Sequence, residues 1–189
     1  MFSRYIKYLV LFSFLVSCNQ DYLPKPTGYF RIDLPEKKYQ IYDKECPYKF
    51  EYPTYFTAIK SDQKDAEPCW LNLSYPSFKV KIHLSYKEVS GNISNLLEEC
   101  RTLVYKHDIK ADAINETIYS DSINKVYGTL YEIKGNAASN IQFYVTDSIR
   151  HFVRGALYFE TKPNKDSLAP IINFIEQDVT HLVETLRWK

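Results

Sequence analysis

Few side chains in this sequence stand where chemistry could begin. Asp147, Ser148 and His151 lie close together, and an acid, a hydroxyl and an imidazole are the parts of an acyl-transfer triad. Such a nucleophile needs its base within hydrogen-bond reach. Asp-Ser is equally what a tight turn uses to bond its own backbone, and no G-x-S-x-G elbow accompanies it. His83 and Ser85 alternate onto one strand face with no acid evident beside them, which reads as a wet-face pair. His107 suits the C-terminal end of a helix, and His181 reads as a surface residue. Glu98 and Glu99 read as a solvated helix face. Five glycines, none grouped, leave no phosphate-cradling loop, and the absence of C-x-x-C or a Cys/His cluster argues against a metal. No catalytic residue, no metal and no cofactor is expected.

The elements that would carry these residues are mostly strands. Val126 to Phe159 holds three runs rich in aromatic and β-branched residues, separated by Lys134-Gly135-Asn136 and Asp147-Ser148, which are turn formers. Links this short imply an antiparallel meander, since parallel strands need long crossovers. Upstream, strands are expected over Cys46–Pro53, where Pro53 stops the run, and over Tyr55–Ile59 and Trp70–Tyr75. A fourth carries Phe78, Val80, Ile82, Leu84 and Tyr86 on one face, and Lys79, Lys81, His83 and Ser85 on the other. The period then changes: Ile93, Leu96, Leu97, Cys100, Leu103 and Val104 predict an amphipathic helix over residues 93–107, with Asn92 as its cap. A strand over Ala113–Tyr119 precedes the meander. A second helix follows it, from Leu168 to near Trp188, with Pro170 in its first turn. The class is α+β: an antiparallel sheet flanked by two long helices, each covering apolar sheet surface.

Composition sets limits. The chain has 189 residues, 45 % of them hydrophobic, enough for one domain with a real core. Seventeen Tyr suit a half-wetted sheet or an interface. Formal net charge is +1, and two of the 24 bases (Arg4 and Lys7) lie in the first seventeen residues. Without them the chain keeps 22 bases against 23 acids, which argues against nucleic-acid binding.

Those first residues are an address. A short basic start precedes an apolar run from Tyr8 to Val16, too short to span a bilayer and right for a secretory signal. It ends in Leu15-Val16-Ser17-Cys18, which resembles a bacterial lipobox. The resemblance implies a signal peptide over residues 1–17, with a diacylglycerol on the Cys18 thiol. A third acyl chain, palmitate, would then sit on its amino group. More than one acyl chain anchors a protein stably in a membrane. Residues 18–45 then read as a lipidated N-terminus and Pro-containing tether, and 46–189 as one α+β domain. Tyr29, Phe30, Ile32 and Leu34 are too apolar for an idle spacer, so that half of the tether is expected to pack on the domain or on a partner. An exported chain meets an oxidising compartment. Cys46 and Cys69 flank a strand pair and can form a bridge or stay free. Cys100, on an apolar helix face, reads as a buried thiol.

Long motifs point further. Pro24-Lys25-Pro26 with Gly28-Tyr29 and Arg31-Ile32-Asp33-Leu34-Pro35 opens the mature chain. Cys46-Pro47-Tyr48, Ile82-His83-Leu84-Ser85-Tyr86-Lys87 and Gln142-Phe143-Tyr144-Val145 follow, and then His151 through Phe159. Together they resemble the GldD family of gliding-motility lipoproteins of Bacteroidetes. The resemblance implies an envelope lipoprotein required for gliding and for the associated type IX protein secretion, with no enzymatic activity. It implies a membrane held through the lipid on Cys18, a domain that faces the periplasm, and other envelope proteins of gliding or secretion as partners. The element order resembles the fold of the photosystem II extrinsic protein PsbP and the nuclear transport factor Mog1. The alternative function is a small-ligand carrier or enzyme on the same fold, which a pocket with convergent polar groups would support. A filled core and an exposed aromatic patch would support docking.

Candidate partner contacts are Arg154, His151 and the loop from Asn136 to Ser139. Arg154 shares a strand face with Phe152, Ala156 and Tyr158, so it is either paired internally, with Glu132, or an exposed anchor. Gly155 marks a bulge or a close backbone approach. Trp70 and Trp188 read as core. Asp121-Ser122-Ile123, Asp147-Ser148-Ile149 and Asp166-Ser167-Leu168 are similar to the O-glycan acceptor motif of Bacteroidetes, making Ser122, Ser148 and Ser167 candidate sugar sites.

Overall fold

Alternating apolar and polar residues give strands wherever the sequence is densest in Tyr, Ile and Val, and the chain joins them almost entirely by hairpins. The structure, a computed structural model, describes residues 32–106, 110–162 and 164–189. In order, the elements are β1 (Tyr39–Tyr42), β2 (Tyr48–Pro53), β3 (Thr57–Lys60), β4 (Leu71–Tyr75), β5 (Val80–Glu88), α1 (Ile93–Tyr105), β6 (Ala111–Asp121), β7 (Val126–Gly135), β8 (Ile141–Thr146), β9 (His151–Phe159), α2 (Lys165–Thr185) and β10 (Arg187–Trp188). Seven strands form one sheet in the order β3-β4-β5-β9-β8-β7-β6, each pair antiparallel. The fold class is therefore α+β with antiparallel sheets and two helices, of 13 and 21 residues. The meander β7-β8-β9 is as read from its turns.

Several boundaries move, each for a tertiary reason. The body begins at Asp33, not at residue 46. Tyr39–Tyr42, expected in the tether, pairs with β2, and its Tyr42 ring stacks on Phe50. Strand β10 pairs with the other side of β2, so a second, three-stranded sheet (β1-β2-β10) stands beside the first. The second helix consequently stops at Thr185, and Trp188 belongs to a strand. That helix also starts at Lys165, capped by Asn164 Oδ1, which accepts from the N–H groups of Asp166 and Ser167. Pro170 thus lies inside it, past the first turn. Asn92 sits at the start of α1 but accepts from Ser90 N–H instead of capping the helix. Phe78 falls in a 3₁₀ turn ahead of β5. Leu34 is exposed, and Tyr29 and Phe30 lie outside the described residues.

The two faces of the large sheet are covered differently. Residues paired across strands share a face. Leu73, Ile82 and Leu157 form one such row, and Gly155 and Phe143 belong to the same face. A Cβ at Gly155 would lie 2.1 Å from the Phe143 ring, so that glycine marks a close approach rather than a bulge. Helix α2 covers this side and buries Ile171, Ile175, Val179, Leu182 and Val183. Asp178, 1 % exposed, is buried with them. Its carboxylate takes Lys37 Nζ at 2.6 Å and the hydroxyls of Tyr39 (3.0 Å) and Tyr55 (2.5 Å). Lys37 also lies 3.9 Å above the Phe174 ring. Burial and the neighbouring Asp178 charge push the Tyr39 hydroxyl up to about 12 and Tyr55 further still. The chain around residues 37–39 is thereby clamped to α2.

Candidate functional site

On the opposite face the same strands turn polar. One cross-strand row reads Asn72, His83, Ala156, Gln142, Tyr131. The next holds Ser85, Arg154, Tyr144 and Thr129. Helix α1 covers only part of this face. Leu96 and Cys100 pack on Val89 and Phe152, and Val104 packs on Tyr131 and Ile133. Beside them, between β4, β5, β9 and α1, a cleft of about 390 Å³ remains, lined by Asn72, His83, Ser85, Arg154, Tyr158 and Leu96 among others. A larger hollow of about 800 Å³ beside the Cys46–Cys69 disulfide is lined mainly by loop residues such as Lys44, Glu45 and Pro68.

The cleft's polar groups are organised. Asn72, 1 % exposed, shares a 2.6 Å hydrogen bond between its Oδ1 and His83 Nδ1. Its Nδ2 donates to Asp62 Oδ1 at 3.1 Å. An amide whose NH₂ points at a carboxylate presents its oxygen to the imidazole, so Nδ1 is the donor and Nε2 keeps a lone pair. Burial, together with the charges of Lys81 and Arg154, holds His83 below its usual range, hence neutral at pH 7. Arg154 Nη2 donates to Gln142 Oε1 at 2.6 Å. The Gln142 Nε2 atom is buried without a partner among the described residues. Burial pushes the Cys100 thiol up to about 11, so it is inert at neutral pH.

Arg154 does not pair with Glu132. That carboxylate bonds Asn115 Nδ2 at 2.9 Å and faces Lys134 at 3.6 Å, on the other side of the sheet. The internal ion pair expected for Arg154 is corrected accordingly, and no ion pair of Arg154 occurs among the described residues. The reading of His83 without a nearby acid is also corrected: Asp62 reaches it through Asn72. Its signal was Asn72 itself, a polar residue in the middle of an apolar strand. The link was not legible, because Asp62 lies in a loop that only the fold brings back.

The other candidates are spoken for structurally. Ser139 is fully buried, its Oγ donating to Ile141 O, so it cannot meet a partner. Asn136 is exposed but its Oδ1 accepts from Lys165 N–H, tying the loop to the start of α2. His151 is held by Tyr86 (2.9 Å) and stacks on Trp188 (5.1 Å). Asp147 Oδ1 accepts from the backbone N–H groups of Ile149, Arg150 and His151, so its triad with Ser148 and His151 is a turn. His181 is not free at the surface: it faces Glu51 at 2.8 Å and stacks on Tyr39. Trp70 and Trp188 are only partly buried, each indole N–H donating to a backbone carbonyl. Ser122, Ser148 and Ser167 are all exposed. Cys46 and Cys69 are joined in a disulfide, with Cα atoms 5.6 Å apart. Cys18 and His107 lie outside the described residues.

No group of His, Cys, Asp and Glu able to hold a metal occurs among the described residues, and none of their helices is long and apolar enough to cross a membrane. The chain finds no match among curated proteins. Among solved structures it is similar to cyanobacterial PsbP from Synechocystis, with 11 % identity and a TM-score of 0.48, over 88 % of this chain and 99 % of that one. The family model described as gliding motility lipoprotein GldD matches residues 19–188. By a match over nearly its whole length, the chain belongs to the gliding motility lipoprotein GldD family.

Proposed function

We propose that this envelope lipoprotein is a non-enzymatic docking component of gliding and of type IX secretion. In this reading it is held by acyl chains on Cys18, faces the periplasm, and touches other envelope proteins of those systems. The observation that carries docking is the outer edge of β6. This strand runs eleven residues and ends the seven-stranded sheet. It contains neither Pro nor Lys, the residues that normally blunt an edge against pairing. Ile118 on it is 82 % exposed, and Ile123 at the adjoining turn is 91 % exposed. Its charged residues, Asp112, Glu116 and Asp121, are all acids. An extended segment of a partner, carrying bases and apolar residues, suits that edge as an eighth strand. An exposed aromatic patch is not what supports this reading; the edge is. The exposed Ser122, Ser148 and Ser167 stay as proposed sugar sites, which intact-mass measurement of the native protein would show as added hexose.

Crosslinking in native membranes followed by mass spectrometry tests the docking. The expected result is recovery of motility or secretion proteins, reduced at least tenfold by Ile118→Lys in a variant that melts like the parent. Recovery of none, or recovery unchanged by the lysine, defeats the reading.

A further inference from the structure

The cleft under α1 rests on none of the docking argument and has a chemistry of its own. Three charged side chains line it: Lys87, Glu99 and Arg154. Lys87 is neutralised by Glu67 at 2.9 Å, and Glu99 lies exposed on α1. That leaves Arg154, partly buried, donating to one neutral amide and paired with no carboxylate among the described residues. A guanidinium is a rigid planar fork that matches a carboxylate with two parallel hydrogen bonds. Partly burying one without its counter-ion costs free energy unless something arrives to complete it. Diagonally across the β5–β9 pair sits His83, whose Nε2 is an acceptor because Asn72 fixes the other nitrogen. Such diagonal neighbours are about 7–8 Å apart, a spacing one amino-acid residue can bridge. Leu96, Leu103 and Phe152 add an apolar stretch to a wall that also holds Ser61, Gln63 and Asn72.

We infer that this cleft binds the C-terminal residue of a peptide: its carboxylate on Arg154, its backbone N–H toward His83 Nε2, and an apolar side chain against Leu96 and Phe152. The volume is within the range of small-ligand clefts, and one unpaired arginine suits a monoanion better than a phosphate dianion. Ser85, directly opposite Arg154 across the strand pair, offers a hydroxyl to the same carboxylate, and the Tyr158 ring packs on His83. No bond is made or broken. A neutral His83 is the form this geometry needs, since a protonated Nε2 would repel the incoming N–H.

The test is isothermal titration of the full-length protein in detergent with acetyl-leucyl-phenylalanine, its C-terminal amide, hexanoate and inorganic phosphate. The free acid is expected to bind at least tenfold tighter than the amide and tighter than hexanoate, with phosphate giving no heat. Arg154→Lys, which keeps the charge and loses the fork, is expected to weaken the acid at least tenfold while leaving the amide unchanged. Equal binding of acid and amide, absence of binding by the acid, or a lysine variant that binds like the parent each overturns the inference. So does phosphate or hexanoate binding as tightly as the peptide acid. Should the lysine variant fail to melt cooperatively, the acid–amide ratio on the parent protein decides.

Discussion

Toward α2 the strands of the large sheet present Leu73, Ile82, Val145 and Leu157; toward α1 the same strands present Asn72, His83, Gln142 and Arg154. The first face is closed by a 21-residue helix whose fully buried carboxylate, Asp178, has both oxygens bonded. The second is half covered by a 13-residue helix; among the described residues its guanidinium meets no carboxylate and a buried amide nitrogen has no partner. A face that only supports the fold can be satisfied internally. A face that stays incomplete in the chain alone is where an outside group has something to add. The contrast separates a closed face from an incomplete one within one sheet.

The largest effect should come from breaking the closed side at its polar centre. Removing one partner of a buried charge cluster costs about 3–5 kcal/mol, because the others are left uncompensated. Asp178→Ala, measured by urea denaturation, should therefore destabilise by that order. A loss below about 1 kcal/mol would mean that Lys37 and Tyr39 are not clamped there, and the closed face is less closed than described.

The next comparison sets two nearby residues against each other. Gly155→Ala forces a methyl group into the Phe143 ring on the closed face and should cost about 1–3 kcal/mol. Ser85→Ala, on the cleft face, removes only a 3.5 Å contact with Arg154 O and should stay within about 0.5 kcal/mol. Equal costs would erase the distinction.

The smallest effect is in pH. On the α2 side, burial pushes Glu176 up to about 7, helped by a hydrogen bond with Glu132 and by that neighbour's charge. Glu132 is lowered, first through the same hydrogen bond. A carboxyl raised on folding favours the native state while protonated. Glu176's contribution is thus fully present below its unfolded value near 4.5 and lost as pH rises through about 7. Glu132 works the other way: its contribution is fully present above its unfolded value near 4.5 and is lost as pH falls through its lowered folded value. Melting temperatures of Glu176→Gln relative to the parent should accordingly improve between pH 5 and pH 8. A difference independent of pH would show that the two carboxyls do not share a proton.

Much of the scaffold was legible because local patterning and fold agreed. Val80, Ile82 and Leu84 alternate with polar residues and form a strand; Leu96, Cys100 and Val104 repeat at helical spacing and are the buried stripe of α1. The misreadings share a cause. Tyr39–Tyr42 and Arg187–Trp188 are too short to announce themselves, and they become strands only because β2 lies between them. From sequence Ser139 reads as a loop residue open to a partner, because polar loops usually are, yet its loop folds inward against Ile141. Strand alternation puts Arg154 on the face it occupies, but not beside Glu132: register sets the two on opposite faces of the sheet.

The sequence by itself determined the family, the order of the longer strands and helices, and the turn chemistry of Asp147, because these are written in runs and neighbours along the chain. Only the tertiary structure decided that Asp62, Asn72 and His83 form a chain, that Arg154 meets Gln142 and no acid among the described residues, and that β6 is left at an edge. Those facts depend on strand register and on how far α1 reaches across the sheet, and both are set by long-range packing that no local window of residues contains.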